Sequence, residues 1–178
     1  MTFTKLLVNL GGRLILTACQ RGVSTVNSIL IASNARKAMD ILVDWDMVDV
    51  KRYMAERMGY DDRKHLDAME IEYKRFIALC FVGATLKDPM IMTNVIDPMW
   101  HTHILFTRDY TKMCQSFGKE HLHHEPAFPD ELALLEDGYN RTKLLYSNSF
   151  GTPSTIFWPE FAQICGGSGC SCSGTGND

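Results

Sequence analysis

Three sequence features that commonly assign a chain to a class of protein are missing here. No apolar run approaches the ~18 to 20 residues that a membrane-spanning helix needs. No run of Lys or Arg exceeds two residues and the net charge is −3, so a nucleic-acid partner held by phosphate contacts is disfavoured. A glycine-rich nucleotide loop, a nucleophile elbow and an HExxH zinc motif are all absent. The sequence therefore contains no motif that names a reaction.

The composition is that of an ordinary globular protein. The chain has 178 residues, of which 46% are hydrophobic and 22% are charged, and this length predicts one domain at about 150 residues per domain. A chain of this size buries roughly two-thirds of its unfolded surface, which is enough to fold without disulfides or metals. Any metal site is therefore not expected to be the sole source of stability.

The cysteines and the N-terminus bear on location. Residues 16–19 resemble a lipoprotein cleavage box, but Arg13 interrupts the apolar stretch before it, and a charge there disfavours insertion. Cys19, Cys80 and Cys114 lie singly among apolar neighbours, where a free cysteine behaves as a small core residue. We therefore expect a soluble, reduced, cytoplasmic protein.

Apolar residues recur at spacings of three and four through much of the chain, as on amphipathic helices. The resulting fold prediction is all-α, a single bundle of about five helices with a Gly/Cys-rich C-terminal tail. We divide the chain into an N-terminal segment of uncertain structure (1–23), a helical domain (24–161) and a Gly/Ser/Cys-rich tail (162–178). The five helices begin near Ser24, Asp49, Asp61, Asp97 and Pro129, and the fourth is expected to run to about Phe117.

Five of the six histidines lie within 24 positions, and imidazole is the commonest ligand for zinc and related ions. We expect zinc or another divalent transition metal. Asp97 belongs to the same set because it lies four residues before the first histidine and shares its helix face. The candidate histidines are His101, His103, His121, His123 and His124.

Helix geometry restricts which candidates act together. His101 and His103 point ~160° apart on a helix and cannot easily bind one ion. The simplest site combines His101, with Asp97 as an optional ligand, and one or two histidines from the segment after Gly118, which must fold back along the helix. The histidines available there are His121, His123 and His124.

Each candidate also has a structural interpretation. Asp97 before Pro98 is a good helix cap without any metal. His103 can instead be a buried core histidine that is hydrogen-bonded to a carbonyl group. His124 can instead be a residue that orders a loop. Cys114 fits a buried thiol. The aromatic residues at helical spacing are expected in the core, namely Trp100, Tyr110 and Phe117.

The tail offers a second, separate metal site. Cys165, Cys170 and Cys172 supply three thiol ligands, which suit zinc, copper(I) or an iron–sulfur cluster. Their spacing, however, matches no closed zinc pattern. A flexible tail with reactive thiols is the alternative interpretation.

The histidine-rich stretch resembles a known family. The run 100–103, Trp-His-Thr-His, is followed by Tyr110, Cys114, Gly118 and the run 123–126, His-His-Glu-Pro. Over about residues 40 to 130 it resembles the glycine-rich domain-containing protein-like family, found in short microbial and viral proteins and at the start of larger plant proteins. The resemblance implies a helical domain and a Gly-rich tail, but no reaction. It supports as motif positions Trp100, His101, His103, Tyr110, Cys114 and His123.

Three functions fit these observations. The first is a small metal-binding protein with a structural or regulatory site, which predicts four protein ligands in a closed shell. The second is a metal-free interaction module whose Gly/Cys tail engages a protein partner. The third is a metal-dependent hydrolase or oxidoreductase, with water at an open position and Glu125 or Asp97 as a base. The sequence does not decide whether the protein is an enzyme.

Overall fold

The computed structural model describes residues 29–83, 90–126, 132–161 and 170–174. The N-terminal segment 1–23 and Cys165 lie outside these residues, and so do the cleavage-box resemblance and the start of the first predicted helix. For the strand at 170–174 only the backbone is described, so the metal site predicted for the tail thiols has no side-chain description.

The described part of the chain is mostly helical, and the predicted all-α bundle of about five helices is confirmed. A small sheet, which the prediction did not include, lies against the helices. The helices are α1 (29–42), α2 (Val48–Met58), α3 (Arg63–Gly83), α4 (Asp97–Leu105), α5 (Thr107–Ser116) and α6 (Leu132–Phe150). The strands are β1 (Met90–Met92), β2 (Leu122–Pro126) and β3 (Cys170–Gly174).

The turn between α2 and α3 follows from two residues. Gly59 adopts a left-handed conformation with φ 77°, and the N–H of the following Tyr60 donates to the Met54 carbonyl (3.2 Å), which ends α2. Asp62 then accepts hydrogen bonds at Oδ1 from the N–H groups of Lys64 (2.9 Å) and His65 (3.3 Å), which begins α3. Both boundaries agree with the sequence pattern, because each depends on neighbouring residues.

The prediction of one uninterrupted helix from Asp97 to Phe117 is wrong. Phe106 leaves the helical conformation (φ −82°, ψ 57°) and separates α4 from α5. Its ring packs edge-on against Tyr53 of α2, with ring centroids 6.1 Å apart. This contact with α2 is distant in sequence, so the helical spacing of 97–117 could not indicate it.

The sheet has the strand order β1-β3-β2, and both pairings are antiparallel. In β3, Cys172 pairs with Met90 of β1 on one side and with His124 of β2 on the other. The segment 122–126 was expected to be a loop, and this expectation is wrong because it forms β2. Residues 170–174 of the Gly/Ser/Cys-rich tail form the central strand of the sheet, a role that was not predicted.

A buried acid joins α3 to the last described helix. Glu72 is 6% exposed, and its Oε2 accepts hydrogen bonds from Tyr146 Oη (2.7 Å) and Trp158 Nε1 (2.8 Å). Arg75 Nη1 lies 3.0 Å from the other carboxylate oxygen. The charge of Glu72 is thus paired and hydrogen-bonded, as a buried carboxylate requires.

The described helices include none that is both long enough and apolar enough to cross a bilayer. Cys114 is a buried free thiol, as expected. Cys80 was expected to be free as well, and that expectation is wrong because Cys80 is disulfide-bonded. Disulfides are rare in reducing compartments, so the cysteine pattern no longer supports a cytoplasmic location.

Candidate metal centre

The first turns of α4 place two ligand types on one face. Asp97 is the first residue of the helix, and its Oδ2 lies 3.4 Å from Nδ1 of His101, four residues later. The N-cap residue is Ile96, and no side chain makes a capping bond there. The predicted role of Asp97 as a helix cap alone is therefore not what the structure has. Its carboxylate is turned towards histidine.

Strand β2 brings a third residue to this face of α4. After the left-handed Gly118 (φ 68°) the chain folds back, and Nε2 of His124 lies 3.0 Å from Oδ1 of Asp97. Side chains alternate between the two faces of a strand. The His124 side chain is accordingly only 5% exposed, whereas His123 is exposed.

The contact between Asp97 and His124 has the distance of an ion pair without the geometry of a hydrogen bond. Oδ1 of Asp97 and both ring nitrogens of His124 are buried and have no hydrogen-bond partner among the described residues. Asp97 Oδ1 and His124 Nε2 lie 3.0 Å apart and do not hydrogen-bond each other. Metal–ligand bonds of about 2.1 Å in tetrahedral or octahedral geometry separate neighbouring ligand atoms by about 3.0 to 3.4 Å.

The three residues form one group. One ligand atom from each of Asp97, His101 and His124 lies within 4.8 Å of the others. The rings of His101 and His124 have centroids 4.6 Å apart and planes tilted by 35°. We call this group the triad. Asp97 and His124 form its buried side, and His101, with a side chain 57% exposed, forms its open side.

Trp100 holds the His124 ring in place. The indole and the imidazole stack in parallel, with centroids 4.1 Å apart and 5° between their planes. Trp100 Nε1 donates to Tyr110 Oη (3.0 Å), and Tyr110 Oη donates to the Leu122 carbonyl (2.6 Å), two residues before His124. This chain of hydrogen bonds fixes α4, α5 and β2 relative to one another, and it explains the buried positions of Trp100 and Tyr110.

Tyr60 lies beside the triad. Burial raises the pKa of its phenol, and the negative charge of Asp97 raises it further. Tyr60 also lines a cavity of about 310 Å³ between α2 and the beginning of α3, with Ala55 and Leu66 among the other lining residues. The phenol of Tyr60 thus borders both this cavity and the carboxylate of Asp97.

His103 belongs to a separate buried network. Its Nε2 lies 2.9 Å from Oδ2 of Asp109, which also accepts a bond from Trp45 Nε1 (3.0 Å). Since the carboxylate accepts, Nε2 carries the proton and Nδ1 accepts from Tyr73 Oη at 2.8 Å. Burial lowers the pKa of His103, although Asp109 opposes this shift. Both ring nitrogens are therefore engaged away from the triad, with side-chain partners instead of the expected carbonyl.

The other candidates also lie outside the triad. His121 and His123 lie together, with ring centroids 5.0 Å apart, and His121 contacts Tyr110 edge-on. Burial, and then the charge of His123, lowers the pKa of His121. Cys114 is fully buried, and burial raises the pKa of its thiol. A thiol that resists ionisation is a poor metal ligand, so its position fits the structural interpretation.

Three contributions were missed by the sequence reasoning. Tyr60 comes to Asp97 from the turn between α2 and α3, and Asp109 comes to His103 because Phe106 breaks the helix. The stacking of Trp100 on His124 requires β2. No local pattern in the sequence signals any of these contacts, since each joins separate elements.

Comparisons with known proteins give a family. A family model described as UCP032817-like matches residues 44–137, just over half of the chain and a range that includes the whole triad. The match corrects the resemblance to the glycine-rich domain-containing protein-like family, which is wrong because the chain matches this other model and no glycine-rich domain was found. Searches of curated proteins and of solved structures gave no match.

Proposed function

Because the chain belongs to the UCP032817-like family, an uncharacterised family, we propose its function from its own geometry: it binds one divalent transition-metal ion through Asp97, His101 and His124. The observation that carries the proposal is the 3.0 Å approach of Asp97 Oδ1 to His124 Nε2 without a hydrogen bond. A bound cation would satisfy both atoms at once. Without one, a buried carboxylate oxygen and a buried imidazole nitrogen each have no hydrogen-bond partner among the described residues, which costs free energy.

The donor set selects the class of ion. Imidazole suits zinc, iron, nickel and copper, whereas calcium and magnesium prefer shells made of oxygen. Two histidines and one carboxylate bind catalytic zinc and also non-haem iron(II) in other proteins. We therefore expect zinc or iron(II) to bind with the highest occupancy.

A second candidate function follows from the open side of the triad. Structural zinc sites are closed by four protein ligands, whereas three described side chains converge here and that of His101 is 57% exposed. An open position admits water or a substrate, which favours a metal-dependent hydrolase or oxidoreductase over a closed structural site. Tyr60, whose phenol interacts electrostatically with Asp97, also lines a cavity of about 310 Å³ that has space for a small molecule.

The test is elemental analysis by mass spectrometry of untagged protein purified without chelators. We expect near-stoichiometric metal in the unaltered protein and almost none in His101→Ala or His124→Ala. The matched control is His65→Ala, because His65 stacks on Phe157 and is not a member of the triad. The proposal would be contradicted if the purified protein contained no metal, folded normally and were unaffected by chelators. Such a result would indicate instead the metal-free module whose tail engages a protein partner.

Trp100 provides an internal reporter of occupancy. Its indole stacks on His124, so an ion on the imidazole should change the tryptophan emission when zinc is added to chelator-treated protein. Trp100→Phe should lose most of this change while still binding zinc in calorimetry, since phenylalanine preserves an aromatic surface under the imidazole. An undiminished signal in that variant would place the ion near Trp45 or Trp158 instead.

A further inference from the structure

Strand β2 presents histidines on both of its faces. His124 faces α4, whereas His121, immediately before the strand, and His123 lie on the other face. We propose that His121 and His123 form a second, independent metal site, a two-imidazole chelate for a late divalent ion such as Ni²⁺ or Cu²⁺. This pair is distinct from the triad and shares no ligand with it.

The spacing of the two rings fits a shared ion. Imidazoles bound through bonds of about 2.1 Å place the ion about 3.2 Å from each ring centroid, so an angle of 90 to 109° at the metal separates the centroids by about 4.5 to 5.2 Å. The observed separation is 5.0 Å, with the planes tilted by 53°. Histidines two positions apart on an extended chain reach this spacing without any change of the backbone.

The surroundings of the pair favour a cation. Tyr110 packs edge-on against His121 with centroids 5.1 Å apart, and Tyr110 is itself fixed by its bond to the Leu122 carbonyl. One of the two imidazoles is thus held in position before an ion binds. The carboxylate of Glu120 interacts electrostatically with His121, and its negative charge attracts a metal ion. His123 is exposed, so water can complete the coordination.

The ligands of the His121 and His123 pair favour a different ion from the one expected at the triad. The two proposed ligands of the pair are both imidazole nitrogens, whereas the triad includes a carboxylate. The affinity of imidazole sites for divalent ions rises through nickel to copper. Two ligands also bind more weakly than three. We therefore expect the pair to fill after the triad when metal is added, and to prefer Ni²⁺ and Cu²⁺.

The test uses the full chain with Ni²⁺, which does not oxidise thiols as Cu²⁺ does. In a His101→Ala background, calorimetry should show about one Ni²⁺ per chain, and adding His123→Ala or His121→Ala should weaken this binding at least tenfold. Adding His65→Ala instead should leave it unchanged. In NMR spectra, paramagnetic Ni²⁺ should broaden the ring signals of His121 and His123 before that of His65.

Two results would overturn the inference. The first is Ni²⁺ binding in the His101→Ala background that neither His121→Ala nor His123→Ala weakens. The second is loss of zinc from the triad in His123→Ala with an unchanged circular dichroism spectrum. That result would show that His123 contributes to the triad and does not belong to a separate site. Failure of the triad to bind metal would leave the Ni²⁺ result interpretable, since the two measurements use different residues.

Discussion

At the scale of single residues, neighbours decide what each clustered histidine can do. His124 is stacked on Trp100 and keeps a ring nitrogen beside Asp97, so it is placed to bind an ion. His103 has both ring nitrogens hydrogen-bonded within the core and cannot bind one without breaking those bonds. Two histidines of the same cluster, one on α4 and one on β2, thus have different chemistry. Counting histidines in the sequence could locate the region but not the ligands.

Asp97→Asn is the most direct single-residue test of whether Asp97 is a metal ligand. The amide keeps the size of the carboxylate but removes its charge, so metal affinity should fall by about 100-fold or more, measured by competition with a coloured chelator. The fold should be retained because Asp97 makes no capping bond. Asp137→Asn on the exposed surface of α6 is the control. Unchanged affinity in Asp97→Asn would remove this residue from the ligand set.

At the scale of elements, local geometry was predictable and strand pairing was not. The shared face of Asp97 and His101 and the divergence of His101 from His103 follow from 3.6 residues per turn, and the structure has both arrangements. Strands β2 and β3 consist largely of His, Pro, Gly, Ser and Cys, which have little strand preference. Their pairing depends on residues far apart in the chain. The interpretation of His124 as a residue that only orders a loop assumed that residues 122–126 form no strand.

The link between α3 and α6 predicts a large stability effect. Glu72→Leu should lower the free energy of unfolding by about 3 kcal/mol or more, since it leaves Arg75 without its carboxylate and the buried donors of Tyr146 and Trp158 without an acceptor. Glu72→Gln should cost less because its carbonyl oxygen still accepts. Urea unfolding measures both, with exposed Glu136→Gln as the control, expected within about 0.5 kcal/mol of the unaltered protein. Equal values for all three variants would contradict this assignment.

The central position of β3 predicts that the tail supports the triad. Ending the chain at Phe161 removes β3, to which β2 is hydrogen-bonded along its whole length. Metal affinity should then fall at least tenfold, because His124 loses the sheet that positions it. Ending the chain at Gly174 retains β3 and should change little. Equal affinity of the two shortened proteins, with helical circular dichroism intact, would show that β2 holds its place without the tail strand.

At the scale of the whole molecule, the core is rich in buried aromatic residues with polar groups. Trp100, Tyr110, Tyr146 and Trp158 each have a hydrogen-bond partner on a different element. These bonds fix the helices relative to one another more specifically than apolar packing alone would. The all-α class was predictable because it depends on apolar periodicity over long segments. The partners of the buried hydroxyl and indole groups were not, since they depend on how the helices meet.

The buried tyrosines predict a loss of stability at alkaline pH. Burial raises the pKa of Tyr73, Tyr110, Tyr139 and Tyr146 above the ordinary value of 10.0. Above about pH 10 the unfolded chain releases these protons while the folded chain keeps them, so the free energy of unfolding falls as the pH rises. Urea unfolding at increasing pH, together with tyrosinate absorbance, should show four of the six tyrosines ionising only as the protein unfolds. Gradual ionisation of all six in folded protein would contradict the buried positions.

The order of the strands along the chain has a consequence for biosynthesis. Strands β1 and β2 leave the ribosome before β3, yet β3 lies between them in the sheet. The helices that carry Asp97 and His101 can form early, since their bonds are local. His124 reaches its final position only after the strand at 170–174 has been translated and has paired with β2. The triad is therefore expected to be complete only after residues 170–174 have left the ribosome, later than the helix that carries Asp97 and His101.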